Sequence, residues 1–224
     1  MAWKVELSPG ATLLLLLIGS VSVSAQSDVH ALAAKLDQHY DHIRTLEAQF
    51  TETYKGAGMT RTESGTLLLK KPGRMRWDYD QPHPKLFITD GSTAWFYVPG
   101  EQQARRTPVK QLEDLRSTLR YLLGKTKLEK ELDGLSMAAD VKPLDLGDIM
   151  LRGVPKGMRE RVAETLLEVT PDGLITRIVA EELDGSVTEF RFLQQQENVK
   201  IPDQKFHFTP PAGVEVVAGT EFME

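Results

Sequence analysis

Two pairs of side chains in this 224-residue sequence have the types and spacing to do chemistry. His39 and His42 are three residues apart, which on a helix puts both imidazoles on one side, as in a two-histidine metal site. No glutamate completes a His-Glu-x-x-His pattern, and solvated helix positions account for the pair more simply. Asp78 and Asp80 fall on one face of a strand, the placement of a carboxylate acid–base pair. Arg74 and Arg76 share that face, so a mixed, wet surface explains all four. Thiol chemistry is excluded because the chain has no cysteine. Neither a Gly-x-Ser-x-Gly elbow nor a phosphate-binding glycine loop occurs. The residues predict no enzyme, no cofactor and no metal site.

A third group is denser. "LLLKKPGRMRWDYDQP" (Leu67 to Pro82) crowds Lys70, Lys71, Arg74 and Arg76 beside Trp77 and Tyr79, a mixture suited to phosphates and bases. A net charge of -5 supplies no field to draw in a polyanion, so no nucleic-acid partner is expected. Strand alternation sorts the motif instead. Leu67, Leu69, Met75, Trp77 and Tyr79 share one apolar face, and Lys70, Arg74, Arg76, Asp78 and Asp80 share a wet one. A bulge at Pro72-Gly73 would shift the second half by one residue. Lys71 is out of place, because it has the parity of the apolar face. Its ammonium must either reach water from a strand end or donate hydrogen bonds to whatever covers the sheet.

The elements that would position these residues are mostly strands. Asp-Gly occurs at 90–91, 133–134, 172–173 and 184–185, and three of these pairs lie between runs such as "KLFIT", "TAWFYV", "LLEVT", "LITRIVAEE" and "VTEFRFLQQ", which with "KFHFTPP" predict an antiparallel meander. "VTEFRF" alternates Thr188, Phe190 and Phe192 against Val187, Glu189 and Arg191, giving one apolar face. Leu32, Leu36, Tyr40, Ile43 and Leu46 predict a first helix with Ser27 or Asp28 as its cap. Leu112, Leu115, Leu119 and Leu122 predict a second over Lys110 to Leu123. Helices covering one apolar sheet face could enclose either a filled core or a cavity. The N-terminus, with Lys4, the apolar "ATLLLLLIG" and small residues at Val23 and Ala25, predicts a signal peptide over 1–25. That leaves one exported domain over 26–224.

These stretches carry a resemblance. "LEAQFTETY", "GTLLLKKPGRMRWDYDQP", "LFITDGSTAWFYVPGEQQ", "STLRYLLG", "VPKG" and "IPDQKFHFTPPAGV", in this order, resemble the periplasmic outer-membrane lipoprotein carriers of the LolA family. The resemblance implies a mainly β fold with an α lid: an incomplete, unclosed antiparallel β-barrel covered by two or three helices around a hydrophobic cavity. It further implies a monomeric periplasmic chaperone and carrier for the acyl chains of lipoproteins. Its partners would be an inner-membrane lipoprotein-releasing ABC transporter (LolCDE type) and an outer-membrane receptor (LolB type). The position matching Lys71 is commonly arginine in the family, where it bonds backbone carbonyls of the lid. Lysine keeps the charge but lacks the planar fork, so a latch with fewer contacts is expected. Met75 matches a position that is often aromatic. The candidate cavity residues are Leu36, Leu67, Leu69, Met75, Trp77, Phe87, Trp95, Tyr97, Leu119, Leu122, Phe190 and Phe192. Alternatives on the same fold are a carrier or sensor of another amphiphile such as a phospholipid or glycolipid, a lipid-acting enzyme, and a purely structural protein.

Overall fold

A computed structural model describes residues 21–111 and 127–219. Twelve strands form one sheet: β1 (Thr45–Gly56), β2 (Met59–Lys70), β3 (Arg74–Gln81), β4 (Lys85–Thr89), β5 (Thr93–Tyr97), β6 (Gln103–Pro108), β7 (Leu132–Met137), β8 (Ile149–Pro155), β9 (Val162–Val169), β10 (Ile175–Glu182), β11 (Val187–Glu197) and β12 (Glu215–Ala218). Their order is β12-β6-β5-β4-β3-β2-β1-β11-β10-β9-β8-β7. The sheet is unclosed, because β12 and β7 are edges and do not pair with each other. Two meanders meet where β1 pairs with β11. All pairings are antiparallel except β12 with β6, a parallel contact that the strand pattern did not predict.

The tight turns follow from local chemistry. Asp90 accepts hydrogen bonds from the backbone N–H groups of Ser92 and Thr93, each 2.8 Å long, and turns β4 into β5. Asp172-Gly173 and Asp184-Gly185 likewise join β9 to β10 and β10 to β11. Asp133-Gly134 does not make a hairpin; it lies inside β7, where the register against β8 shifts. "KFHFTPP" is not a strand either. It opens as a 3-10 turn at Asp203–Phe206, and Pro210 and Pro211 cannot donate to a ladder.

Helix α1 (Val21–His42) lies across the inner face of the sheet. Ser27 and Asp28 fall inside it rather than capping it. It also ends four residues before Leu46, which belongs to β1. Val29, Leu32, Ala33, Leu36 and Tyr40 form its buried stripe. Gly173 fixes how closely the helix approaches, since a Cβ there would stand 2.9 Å from the Leu36 Cα. A one-turn helix, α2 (Leu128–Glu131), leads into β7 and packs on α1. The second helix expected over Lys110 to Leu123, with Leu119 and Leu122, lies outside the described residues after a 3-10 turn at Val109–Gln111. One continuous apolar cluster joins α1 to both halves of the sheet. Among the described residues no helix is long and apolar enough to cross a membrane.

Candidate functional site

The basic and aromatic motif folds as the β2–β3 hairpin, with Leu67 opposite Trp77, Leu69 opposite Met75 and Lys70 opposite Arg74. Odd positions therefore face odd positions, and the bend at Pro72-Gly73 preserves the two faces. Next in line, Trp77 pairs with Phe87, and on the far side of β1 the Phe50–Phe192 pair continues the same surface. Leu36, Leu67, Leu69, Met75, Trp77, Phe87, Phe190 and Phe192 all meet on this inner face. The rings touch: Trp77 lies 4.7 Å from Phe50 and 5.6 Å from Phe190, both edge-on. Each of these eight residues is at most 3 % exposed. The face is therefore covered in this state, and among the described residues α1 packs against it.

Two candidates lie elsewhere. Trp95 pairs with Ile88 and Tyr97 with Leu86, which places both on the outer face. There they pack on Phe208, at 5.4 and 5.5 Å. Phe96, opposite Phe87, takes the inner position. The error is one of parity, because β4 and β5 are short and both of their faces are apolar. Phe50 was missed for the opposite reason. Its strand neighbour on the inner face is Glu52, and that carboxylate breaks the apolar alternation around it.

Lys71 sits at the hairpin bend, half-buried, and its Nζ donates to the carbonyl of Tyr40. That carbonyl belongs to the last turn of α1, where helix geometry leaves carbonyls without an intrahelical donor. A cation there also meets the negative end of the helix dipole. Burial lowers the ammonium pKa; Asp41 opposes that effect and Arg44 adds to it. Among the described residues, the Tyr40 carbonyl is the only hydrogen-bond acceptor that the Lys71 ammonium reaches. The rest of α1 is held from the opposite meander. Ile175 N–H donates to Tyr40 Oη at 3.2 Å, Leu128 N–H to Asp37 Oδ1 at 2.9 Å, and Lys35 Nζ to the Pro171 carbonyl at 2.5 Å.

The far end of the inner face is polar. Tyr79 Oη donates to Glu52 Oε2 at 2.7 Å, and Lys85 Nζ donates to Glu63 Oε2 at 2.6 Å. The Lys85 ammonium also lies 4.1 Å over the Tyr79 ring. Burial pushes the Glu52 carboxyl up, against the Tyr79 hydrogen bond and the Lys85 charge. Tyr79 is pushed up as well, first by burial and then by Glu52.

The remaining charged groups hold structure together. Lys70 and Arg74 bind Asp203 at 2.6 and 2.8 Å, and Arg76 forks onto Asp78 while reaching the Lys205 carbonyl. The wet face of the motif thus straps the C-terminal segment over Leu68, whose apolar partners are Ile201 and Phe206. His39 contacts Glu197 at 2.8 Å, whereas the His42 ring meets the Gln38 carbonyl, so the two imidazoles serve separate partners. Asp145, Asp148 and Glu168 cluster closely enough to suggest a cation. Both Glu168 oxygens are occupied, one by the backbone N–H groups of Leu144 and Asp145 and the other by Arg177. That trio anchors the β7–β8 loop.

The sequence model of the family "Outer membrane lipoprotein carrier protein LolA" matches residues 41–209, which span β1 to β11. A protein of Nitrosospira multiformis named outer-membrane lipoprotein carrier protein is 29% identical over 198 residues, 86% of this chain and 91% of its own. A protein of the same name from Sodalis glossinidius is 30% identical over 192 residues, 84% of this chain and 86% of its own. Among solved structures, an uncharacterized conserved protein from Thermus thermophilus superposes with a TM-score of 0.56 at 11% identity. It covers 86% of this chain and 99% of that one, a likeness of fold.

Proposed function

The chain belongs to the LolA family of outer membrane lipoprotein carrier proteins, and from that premise we propose how its inner face carries a lipid. It is a lipoprotein carrier from a family of carriers, not of enzymes. The acyl chains of a lipoprotein bind between α1 and the aromatic face of Phe50, Trp77, Phe190 and Phe192. The observation that carries this reading is a continuous apolar sheet face under a helix that, among the described residues, only the Lys71 ammonium bonds to the β2–β3 side.

Burying an acyl chain is worth about 0.8 kcal/mol per methylene, so several chains amount to some tens of kcal/mol. Spontaneous escape into water is then negligible, and cargo must move from one apolar site to the next. A carrier has to release as well as bind, so part of the binding free energy must go into separating packed surfaces. The packed inner face supplies that opposing term. α1 moves away from β2 and β3, the Lys71 contact breaks, and acyl chains replace ring-to-ring contacts. Lys71 is the latch of the empty state, and Met75, flexible and polarizable, adapts to variable chains.

On this reading residues 1–25 direct export and residues 26–224 form a monomeric carrier in the periplasm. It would take cargo from an inner-membrane ABC transporter and give it to an outer-membrane receptor. The deciding test is extraction of lipid from the purified periplasmic protein followed by mass spectrometry. A diacylglyceryl-cysteine peptide is expected; phospholipid alone would assign the chain to another amphiphile.

A further inference from the structure

Among the described residues, the aromatic part of the inner face contains one buried polar atom without a partner. Trp77 is fully buried, and its Nε1–H has no hydrogen-bond partner. An indole N–H buried without an acceptor is destabilising, and native cores leave few such groups. The neighbours of Trp77 on this face are Leu67, Phe87, Phe50 and Phe190, none of which offers a side-chain oxygen. The nearest polar side chains on the face, Tyr79 and Glu52, are bonded to each other. An otherwise apolar wall built only for hydrocarbon would be served equally well by phenylalanine.

We infer that Trp77 Nε1 is the polar recognition point of this face and that it donates to the ester or amide carbonyl joining an acyl chain to its headgroup. The inference rests on the carrier reading above and adds a chemical selectivity to it. Acyl lipids are bound in preference to alkyl ethers of the same chain length. The carbonyl fixes how deeply each chain enters, while the remainder of the wall supplies non-directional burial. An unsatisfied donor in the empty state and a satisfied one in the loaded state also make the differential contact that ligand-driven opening needs.

The test uses the full chain and two matched lipid pairs, a diacylglyceryl-cysteine peptide with its dialkyl analogue, and diacyl with dialkyl phosphatidylcholine. Displacement of a bound apolar dye gives relative affinities. Acyl forms should bind about three- to tenfold more tightly than ethers, and Trp77→Phe should bring the two together. The two pairs distinguish a lipoprotein source of the carbonyl from a phospholipid one. Because Trp77→Phe could disturb packing, the second readout keeps Trp77 in a Trp3→Phe, Trp95→Phe background. There, ultraviolet resonance Raman of the indole N–H should shift on loading with acyl lipid and not with ether lipid. Equal affinities with no indole shift would overturn the inference while leaving the carrier reading intact, with the N–H directed at a neighbouring ring face instead. If neither member of either pair displaces the dye, the carrier reading and the inference fail together.

Discussion

The two ends of the inner face each bury charge, and they do so in opposite ways. At the bend of the β2–β3 hairpin, Lys71 reaches one carbonyl on a different element, the last turn of α1. At the far end, Glu52, Glu63, Tyr79 and Lys85 pair among themselves and belong to β1, β2, β3 and β4, which are adjacent strands. The polar network lies wholly within one sheet, so opening the cover leaves it unchanged. The single contact spans the junction that has to open. A buried charge held by several partners in one rigid layer is structural, whereas one held singly across two elements can act as a latch.

The largest effect should come from breaking the sheet-borne end. Lys85→Met leaves the buried Glu63 without its 2.6 Å partner, and the more distant Arg61, at 3.5 Å, offers partial compensation. Loss of one member of a buried pair typically costs about 3–5 kcal/mol, so about 2–3 kcal/mol is expected with that help. Denaturant unfolding measures it, and the midpoint should fall with little change in slope. A loss below about 0.5 kcal/mol would place this network with ordinary surface pairs and erase the contrast.

Lys71→Leu should do the reverse. Global stability should change by less than about 1 kcal/mol, because one contact of a half-buried group is lost. Amides of α1 from Leu36 to His42 should exchange about three- to tenfold faster, while those of β1 to β4 keep their protection. Lys71→Arg tests the same junction from the other side. A planar fork can engage more than one terminal carbonyl of the helix, so exchange should slow, cargo loading should slow with it, and release should be favoured. If all three proteins exchange and transfer alike, Lys71 is not a latch.

Much of this contrast was legible in the residues, and the limits have physical causes. The odd–even sorting of Leu67 to Tyr79 survived because a hairpin that pairs Leu67 with Trp77 preserves parity across its bend. Lys71 stood out for the same reason, as the one charge on the apolar parity. Trp95 and Tyr97 were misplaced because β5 is flanked by apolar surface on both sides, the core within and Phe208 without. Local alternation cannot choose between two apolar faces. The Glu52 network was invisible for another reason. Tyr79 reads as part of the apolar face, and nothing local ties it to Glu52, Glu63 and Lys85 until β1, β2, β3 and β4 bring the four together. The parallel β12–β6 contact depends on the path of the C-terminal segment around the outer face, and no local pattern encodes that path.

The smallest predicted effect isolates the one carboxylate of the network whose ionisation burial disfavours. Burial raises the Glu52 carboxyl above its ordinary value of 4.5, so the folded protein holds this proton more tightly than the unfolded chain does. The contribution is therefore fully present below the unfolded pKa and is lost as pH rises through the raised folded value. Wild-type protein should gain stability from this group as pH is lowered from about 7 to about 5. Glu52→Gln keeps an oxygen acceptor for the Tyr79 hydroxyl and removes the charge. The variant should melt about 1–3 °C higher near neutral pH and show a flatter dependence between about pH 7 and 5, read from thermal scans at the two values. Exchange of α1 amides should not change, because the bonds of this network all run between strands. If Glu52→Gln did accelerate α1, the two ends of the face would be coupled through the aromatic rings between them, and Lys71 would share control of the opening.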